Sequence, residues 1–208
     1  MTCLAVRHAV QMQVELSRWG TYGPRPEPNH ALDAIFGAMT VGAECTVVRS
    51  LSHVWSLVSD ITRIGEFSPE CVEAWWVPGF GARAVGGRFE GRNRVIEGDV
   101  VVDWIRPCDV LIWEPEAAFS WSVGDRFDGT PSSTWTFRLR KAGDSMVLSQ
   151  EFAHRPDGLS GLRVGAEADP ARAADYVHTR TRDLQKAMTL TLARMKEVLE
   201  APAGADLC

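Results

Sequence analysis

Between Pro170 and Pro202 neither proline nor glycine interrupts the chain, and strands do not run to such lengths. The stretch from Asp169 to Glu200, DPARAADYVHTRTRDLQKAMTLTLARMKEVLE, therefore predicts one long C-terminal helix. Asp169 can cap it with its carboxylate, and Pro170 suits a first helical position. Its apolar residues step through Val177, Leu184, Met188, Leu192, Met195 and Leu199, with Thr181 filling the gap, so the spacings are three or four. At ~1.5 Å per residue such a helix is roughly 45 Å long, with too much apolar stripe to leave in water. The upstream chain has to supply the surface on which this helix lies.

That upstream chain is of ordinary globular composition. The 208 residues are 45% hydrophobic and 24% charged, which fits one domain with a sizeable core. Lys plus Arg is 22 and Asp plus Glu 27, giving 22 − 27 = −5 and no basic run, which argues against a nucleic-acid or anionic-membrane binder. Cys3, Cys45, Cys71, Cys108 and Cys208 are odd in number, scattered and never in a CxxC pair, so neither a disulfide framework nor a zinc site is expected. No cofactor is expected either. A reducing cytoplasm fits this cysteine usage. No window approaches the ~18 apolar residues of a membrane span, and the N-terminus lacks an apolar segment followed by a small-residue cleavage site. The expectation is a cytoplasmic protein without stable membrane insertion.

The first twenty residues mix Leu4, Val6, Val10, Met12, Val14, Leu16 and Trp19 with polar residues, a pattern that fits a short helix or a strand. The segment Thr21 to His30, with three prolines and a glycine, reads as a linker. Ala34 to Met39 is a brief apolar stretch. Residues 1–40 are expected to form a poorly ordered or peripheral N-terminal extension without functional residues, residues 41–201 the domain, and residues 202–208 a tail. Met39 is an alternative start, with the preceding segment an upstream extension of the reading frame.

Ala43 to Arg49 predicts a first strand, rich in β-branched residues. Ser52 can cap a helix whose Val54, Leu57, Val58 and Ile61 lie at i, i+3, i+4 and i+7, and Asp60 to Ser68 continues as a second short helix or turn, stopped at Pro69. From Cys71 the period becomes two. Val72 to Val77 and Arg88 to Val95 flank a glycine-rich connection. Val100 to Trp113, interrupted by Pro107, then Ala118 to Val123, Ser133 to Arg140 and Ser145 to His154 complete the candidate strands. In the Phe119, Trp121, Val123 and Trp135, Phe137, Leu139 sets one face is apolar, while the serines, threonines and arginines between them predict a wet one. The fold class is thus α+β: a curved antiparallel sheet of about seven strands, two short helices after the first strand, and the long helix as cover.

This order of elements resembles the helix-grip superfamily, SRPBCC, which includes START domains, the birch-pollen-allergen fold and polyketide cyclase/dehydrase proteins. The most specific match is Val54-Trp-Ser-Leu-Val-Ser-Asp60-Ile-Thr-Arg63 followed by Gly65-Glu-Phe-Ser-Pro69-Glu-Cys71, which is similar to the helix pair of bacterial, especially actinobacterial, members. Gly87 to Arg94, Trp113-Glu-Pro115 before Phe119-Ser-Trp121, and Met188-Thr-Leu-Thr-Leu192 follow the later family pattern, so the resemblance spans about residues 43–200. It implies a cavity between sheet and terminal helix for a hydrophobic small molecule, lipid or polyketide-like.

On that basis the expected ligand-binding residues are Trp76, Phe89, Asn93, Trp104, Trp121, Trp135, Phe137, Gln150, Leu184 and Met188. Aromatic walls suit flat apolar ligands, since a well-placed ring pair adds ~0.5–1.5 kcal/mol beyond area burial. Asn93 shares a strand face with Phe89, Gly91 and Val95, and Gln150 with Met146, Leu148 and Phe152, so both are inward polar candidates; the alternative places them on an edge or rim. His154 and His178 are either acid–base candidates or solvated surface histidines, and Arg180 either closes the mouth or sits in water. GxSxG, HExxH, P-loop and intact GxGxxG motifs are absent from the sequence. Three functions remain: hydrophobic-ligand binding, a polyketide cyclase/aromatase or dehydratase in the same cavity, and a protein-interaction module. A monomer or homodimer is expected, with no nucleic-acid partner.

Overall fold

The computed structural model describes residues 24–97 and 100–202. Seven strands form one antiparallel sheet: β1 (Thr40–Val47), β2 (Cys71–Trp76), β3 (Arg88–Glu97), β4 (Val100–Glu114), β5 (Ala118–Gly124), β6 (Pro131–Ala142) and β7 (Ser145–His154). Their spatial order is β1-β7-β6-β5-β4-β3-β2. From β2 to β7 each strand pairs with its successor, and β1 closes the far edge against β7 from Thr40↔Ala153 to Val47↔Met146. Hairpins need only short turns, which explains the sequential pairing. The α+β order of elements is the one expected from the periodicities, and the helix-grip architecture is the one the resemblance implies.

Among the described residues five α-helices accompany the sheet: α1 (Asp33–Gly37), α2 (Leu51–Val58), α3 (Ile64–Phe67), α4 (Gly161–Ala168) and α5 (Ala173–Glu200). At ~1.5 Å per residue, the 28-residue α5 is about 42 Å long. It buries Leu184, Met188, Leu192, Met195 and Leu199 against the sheet, as the stripe requires. Its C-terminal end is pinned to β1. Lys196 Nζ pairs with Glu200 at 2.7 Å and also donates to Thr46 O, while Arg49 donates to the carbonyls of Leu199 and Ala201. Cations at this end meet the unpaired carbonyls and the negative pole of the helix.

The structure departs from the sequence reading at several places. The α-helix begins at Ala173 rather than Asp169: Pro170–Arg172 form a 3-10 turn, and Asp169 makes no side-chain cap. Before it lies α4, unforeseen because Gly161 and Gly165 weaken its helical signature. Ser160 caps this helix, its Oγ accepting the Arg163 N–H at 3.2 Å. Strand β4 runs unbroken through Pro107. Its pairing with β5 starts only at Cys108↔Val123, so at Pro107 just one flank, opposite Glu90, needs backbone bonds. The freed flank lets the ring lie over Gly124, where an added Cβ would come within 2.8 Å of Pro107 Cγ. The outer face of β5 is not wet. Ser120 is 2% exposed and shares a 2.9 Å hydrogen bond with Thr136 Oγ1, short side chains lying low between central strands and satisfying one another.

Of the expected poorly ordered or peripheral extension, the described residues 24–39 pack on the domain. Leu32 and Phe36 are buried with Ala166 of α4 and Ala173 of α5. Arg25 pairs with the buried Asp125 at 2.9 Å. Arg163, 0% exposed, bonds Asp33 Oδ1 at 2.8 Å, Glu167 Oε1 at 3.0 Å, and the carbonyls of Asn29 and Pro156. A buried guanidinium needs all its donors met, and half of these partners come from this segment. The expected helix or strand in residues 1–20 lies outside the described residues. Among the described residues no helix is long and apolar enough to cross a membrane.

Candidate functional site

The concave face of the sheet, with α5 across one side and α2 and α3 at one end, encloses a cavity of about 470 Å³. Period-two alternation aims Phe89 of β3, Trp121 of β5 and Phe137 of β6 at the same space. Their rings form a chain, with centroids 5.9 Å apart for Phe89–Trp121 and 5.8 Å for Trp121–Phe137. Trp135 and Phe152 form a separate ring pair on the same wall, 5.0 Å apart. From the helix side, Leu184, Met188 and Met195 close over these rings.

Of the ten residues singled out from the sequence, the fold brings nine to the cavity wall: Phe89, Asn93, Trp104, Trp121, Trp135, Phe137, Gln150, Leu184 and Met188. Trp76 is not on it. This residue pairs with Phe89 at the end of the edge strand, where Phe89 at 5.6 Å and Trp113 at 6.2 Å enclose its ring. Trp113 in turn packs on Trp55 of α2 at 5.5 Å, so this end of the sheet is filled by tryptophan rather than open. The sequence reading does not assign to the wall Leu57, Ile61 and Phe67 of the helix pair, or Cys71, Ser160 and Tyr176; His154, an acid–base candidate or surface histidine by that reading, also lies on it. The i, i+3, i+4, i+7 pattern of α2 marked its buried face without showing that this face borders a cavity.

No family model matches the chain, and no curated protein matches it. Solved structures do. A polyketide-cyclase-like protein from Corynebacterium glutamicum is similar over 78% of this chain and 91% of its own, at 26% identity and a TM-score of 0.55. A protein from Thermus thermophilus matches 77% of this chain and 96% of its own, at 14% identity and a TM-score of 0.53. The di-domain ARO/CYC StfQ of the steffimycin biosynthetic pathway matches 77% of this chain and 50% of its own, at 10% identity and a TM-score of 0.51. The chain has the polyketide-cyclase-like SRPBCC fold.

Polar side chains are set among the apolar ones on the wall of this SRPBCC cavity, and many of them are already paired. Asn93 Nδ2 reaches Gly91 O at 3.4 Å, and Arg92 and Arg94 on the opposite face pair with Asp103. At the partly exposed rim, Arg180 of α5 pairs with Glu70 at 2.7 Å, tying the helix to the segment before β2. His178 is exposed and lies off the wall.

His154, by contrast, is 4% exposed, with the Phe36 ring tilted against it at 4.8 Å. Its Nδ1 lies 2.7 Å from the carbonyl of Arg155, which only accepts, so Nδ1 carries the proton. Nε2 then accepts the Ser160 hydroxyl at 2.7 Å. Burial pushes this imidazole down to about 4, with the nearby Arg163 charge acting in the same direction. It is a neutral, fully bonded histidine near pH 7. The wall thiols are unreactive too: burial raises Cys71 to about 12 and Cys108 well above the ordinary range. Among the described residues no group of three His, Cys, Asp or Glu is placed to hold a metal ion.

Gln150 is different. It is 5% exposed, faces the cavity from the middle of β7, and its Oε1 has no hydrogen-bond partner among the described residues.

Proposed function

We propose that this protein binds a hydrophobic small molecule, lipid or polyketide-like, between the sheet and α5. The observation that carries the reading is the cavity of about 470 Å³ with Phe89, Trp121, Trp135 and Phe137 on one wall and Leu184 and Met188 on the other. A solvent-filled space lined this way leaves apolar surface hydrated, and an apolar guest recovers ~25 cal/mol per Å² covered. A polyketide cyclase or aromatase would use the same space but needs a group poised to move a proton. His154 is committed to Arg155 O and Ser160, Glu70 to Arg180 and Asp60 to Thr62, which leaves Tyr176 as a lone phenol with no base hydrogen-bonded to it among the described residues. Binding without turnover is therefore favoured, and the ARO/CYC neighbour at 10% identity supports a common fold rather than a common reaction. Cytoplasmic residence remains part of this reading; the free thiols of Cys45, Cys71 and Cys108 suit a reducing compartment.

Comparing native with denaturing mass spectrometry of the full chain, purified without detergent, tests the proposal, together with titration by an apolar fluorophore such as Nile red. A co-purifying compound, or stoichiometric fluorophore binding that quenches tryptophan emission, is expected. Absence of both a compound and any change in tryptophan emission at saturating fluorophore refutes it.

A further inference from the structure

Gln150 sits on β7 between Ala43 of β1 and Phe137 of β6, with Leu148 and Phe152 two residues away on the same face. Several polar groups of the wall are already engaged with one another or with backbone. Thr191 Oγ1 donates to Ala187 O at 2.8 Å, Ser132 Oγ donates to Val123 O at 3.1 Å, and His154 and Ser160 bond each other. Phe137, Leu184 and Met188 offer no hydrogen-bonding group. An unpaired buried amide costs ~1–3 kcal/mol, so the partner of this carboxamide comes from whatever fills the cavity.

We infer that the ligand carries a hydroxyl at its buried end and that Gln150 reads it. The inference rests on the ligand-binding reading above and adds the polar feature that orients the guest. Rotation about the terminal torsion of the side chain presents either the carbonyl oxygen or the amino group to the cavity. A hydroxyl both donates and accepts, and so serves either orientation. An ether or ketone serves only the amino group, and a methyl serves neither. A carboxylate would need a cation, but of the two arginines on the wall Arg180 is paired with Glu70 at the partly exposed rim and Arg106 donates to the carbonyl of Ile105. With the hydroxyl held at Gln150, the apolar body of the guest lies along Trp121, Trp135 and Phe137. Gln150 is thus a specificity residue, rejecting guests that leave its carboxamide unpaired.

The test uses two probes of one shape, 2-naphthol and 2-methylnaphthalene, with the full-length protein and its Gln150→Met variant, by displacement of bound Nile red. Methionine keeps the length and volume of glutamine without its amide. Loss of the amide should weaken 2-naphthol about tenfold and leave 2-methylnaphthalene unchanged or tighter, so the ratio of the two affinities shifts by about that factor. Gln150→Leu serves as a second variant, its folding checked by circular dichroism, and the same shift is expected. An affinity ratio that stays at the wild-type value in both variants, with both probes still bound, overturns the role of Gln150 and leaves the cavity reading standing. A wild type that binds Nile red but neither naphthalene overturns this inference alone, whereas failure to bind Nile red itself overturns the cavity reading and this inference with it.

Discussion

Replacing Phe36 with alanine asks whether the segment before β1 is core or decoration. Phe36 is 0% exposed, its ring 4.8 Å from that of His154 and 4.9 Å from the guanidinium carbon of Arg163. Truncating a fully buried phenylalanine costs ~3–5 kcal/mol, the transfer free energy of the lost carbons plus the cavity left behind. The ion pairs of Arg163 with Asp33 and Glu167 stay in place, so the loss is one of packing rather than an orphaned charge. For a chain of this size 1 kcal/mol moves Tm by about 2–4 °C, which puts the expected drop at roughly 6–20 °C. Scanning calorimetry gives the shift. Urea unfolding should show a lower midpoint at an unchanged slope, as expected if stability alone has changed. A drop below about 2 °C would refute the reasoning. It would mean that the prolines before Asn29 do what they do in most chains, leaving a strap that rests on the surface.

Two further perturbations separate the remaining arguments. His154 is held near 4 in the fold against 6.5 when free, so the unfolded chain gains its proton first as pH falls; stability is intact above about pH 6.5 and declines until about pH 4, by on the order of 3 kcal/mol. Urea midpoints at pH 7 and pH 4.5 should show that part of the decline vanish in His154→Asn, and equal declines in both proteins would rule it out. Ala187→Phe on α5, at the cavity wall, should fill the space with little change in Tm while weakening Nile red binding at least tenfold; undiminished binding would place the dye elsewhere.

The features legible in the sequence are those set by local periodicity. Residues repeating at three and four turned one stripe of α5 inward, from Leu184 to Leu199, and the period of two turned Phe89, Trp121 and Phe137 to the same face. By the same rule Gln150 belonged with Met146, Leu148 and Phe152, because its place in a strand does not depend on its polarity. Which inward residues meet a cavity and which a packed core was another matter. Trp76 and Trp121 have equivalent strand patterns, and only the arrival of Trp55 on α2 beside Trp113 filled one end of the sheet and left the other open. Pro107 in an unbroken strand and Phe36 beneath Arg163 were likewise invisible, since each depends on a partner far along the chain: where β5 ends, and where α4 turns back. The unsatisfied oxygen of Gln150 is the sharpest instance. Its position followed from counting by twos, but its lack of a partner emerged only when three strands and a helix had closed around it, none offering a hydrogen bond. Local sequence fixes the direction of a side chain; tertiary packing decides what it meets.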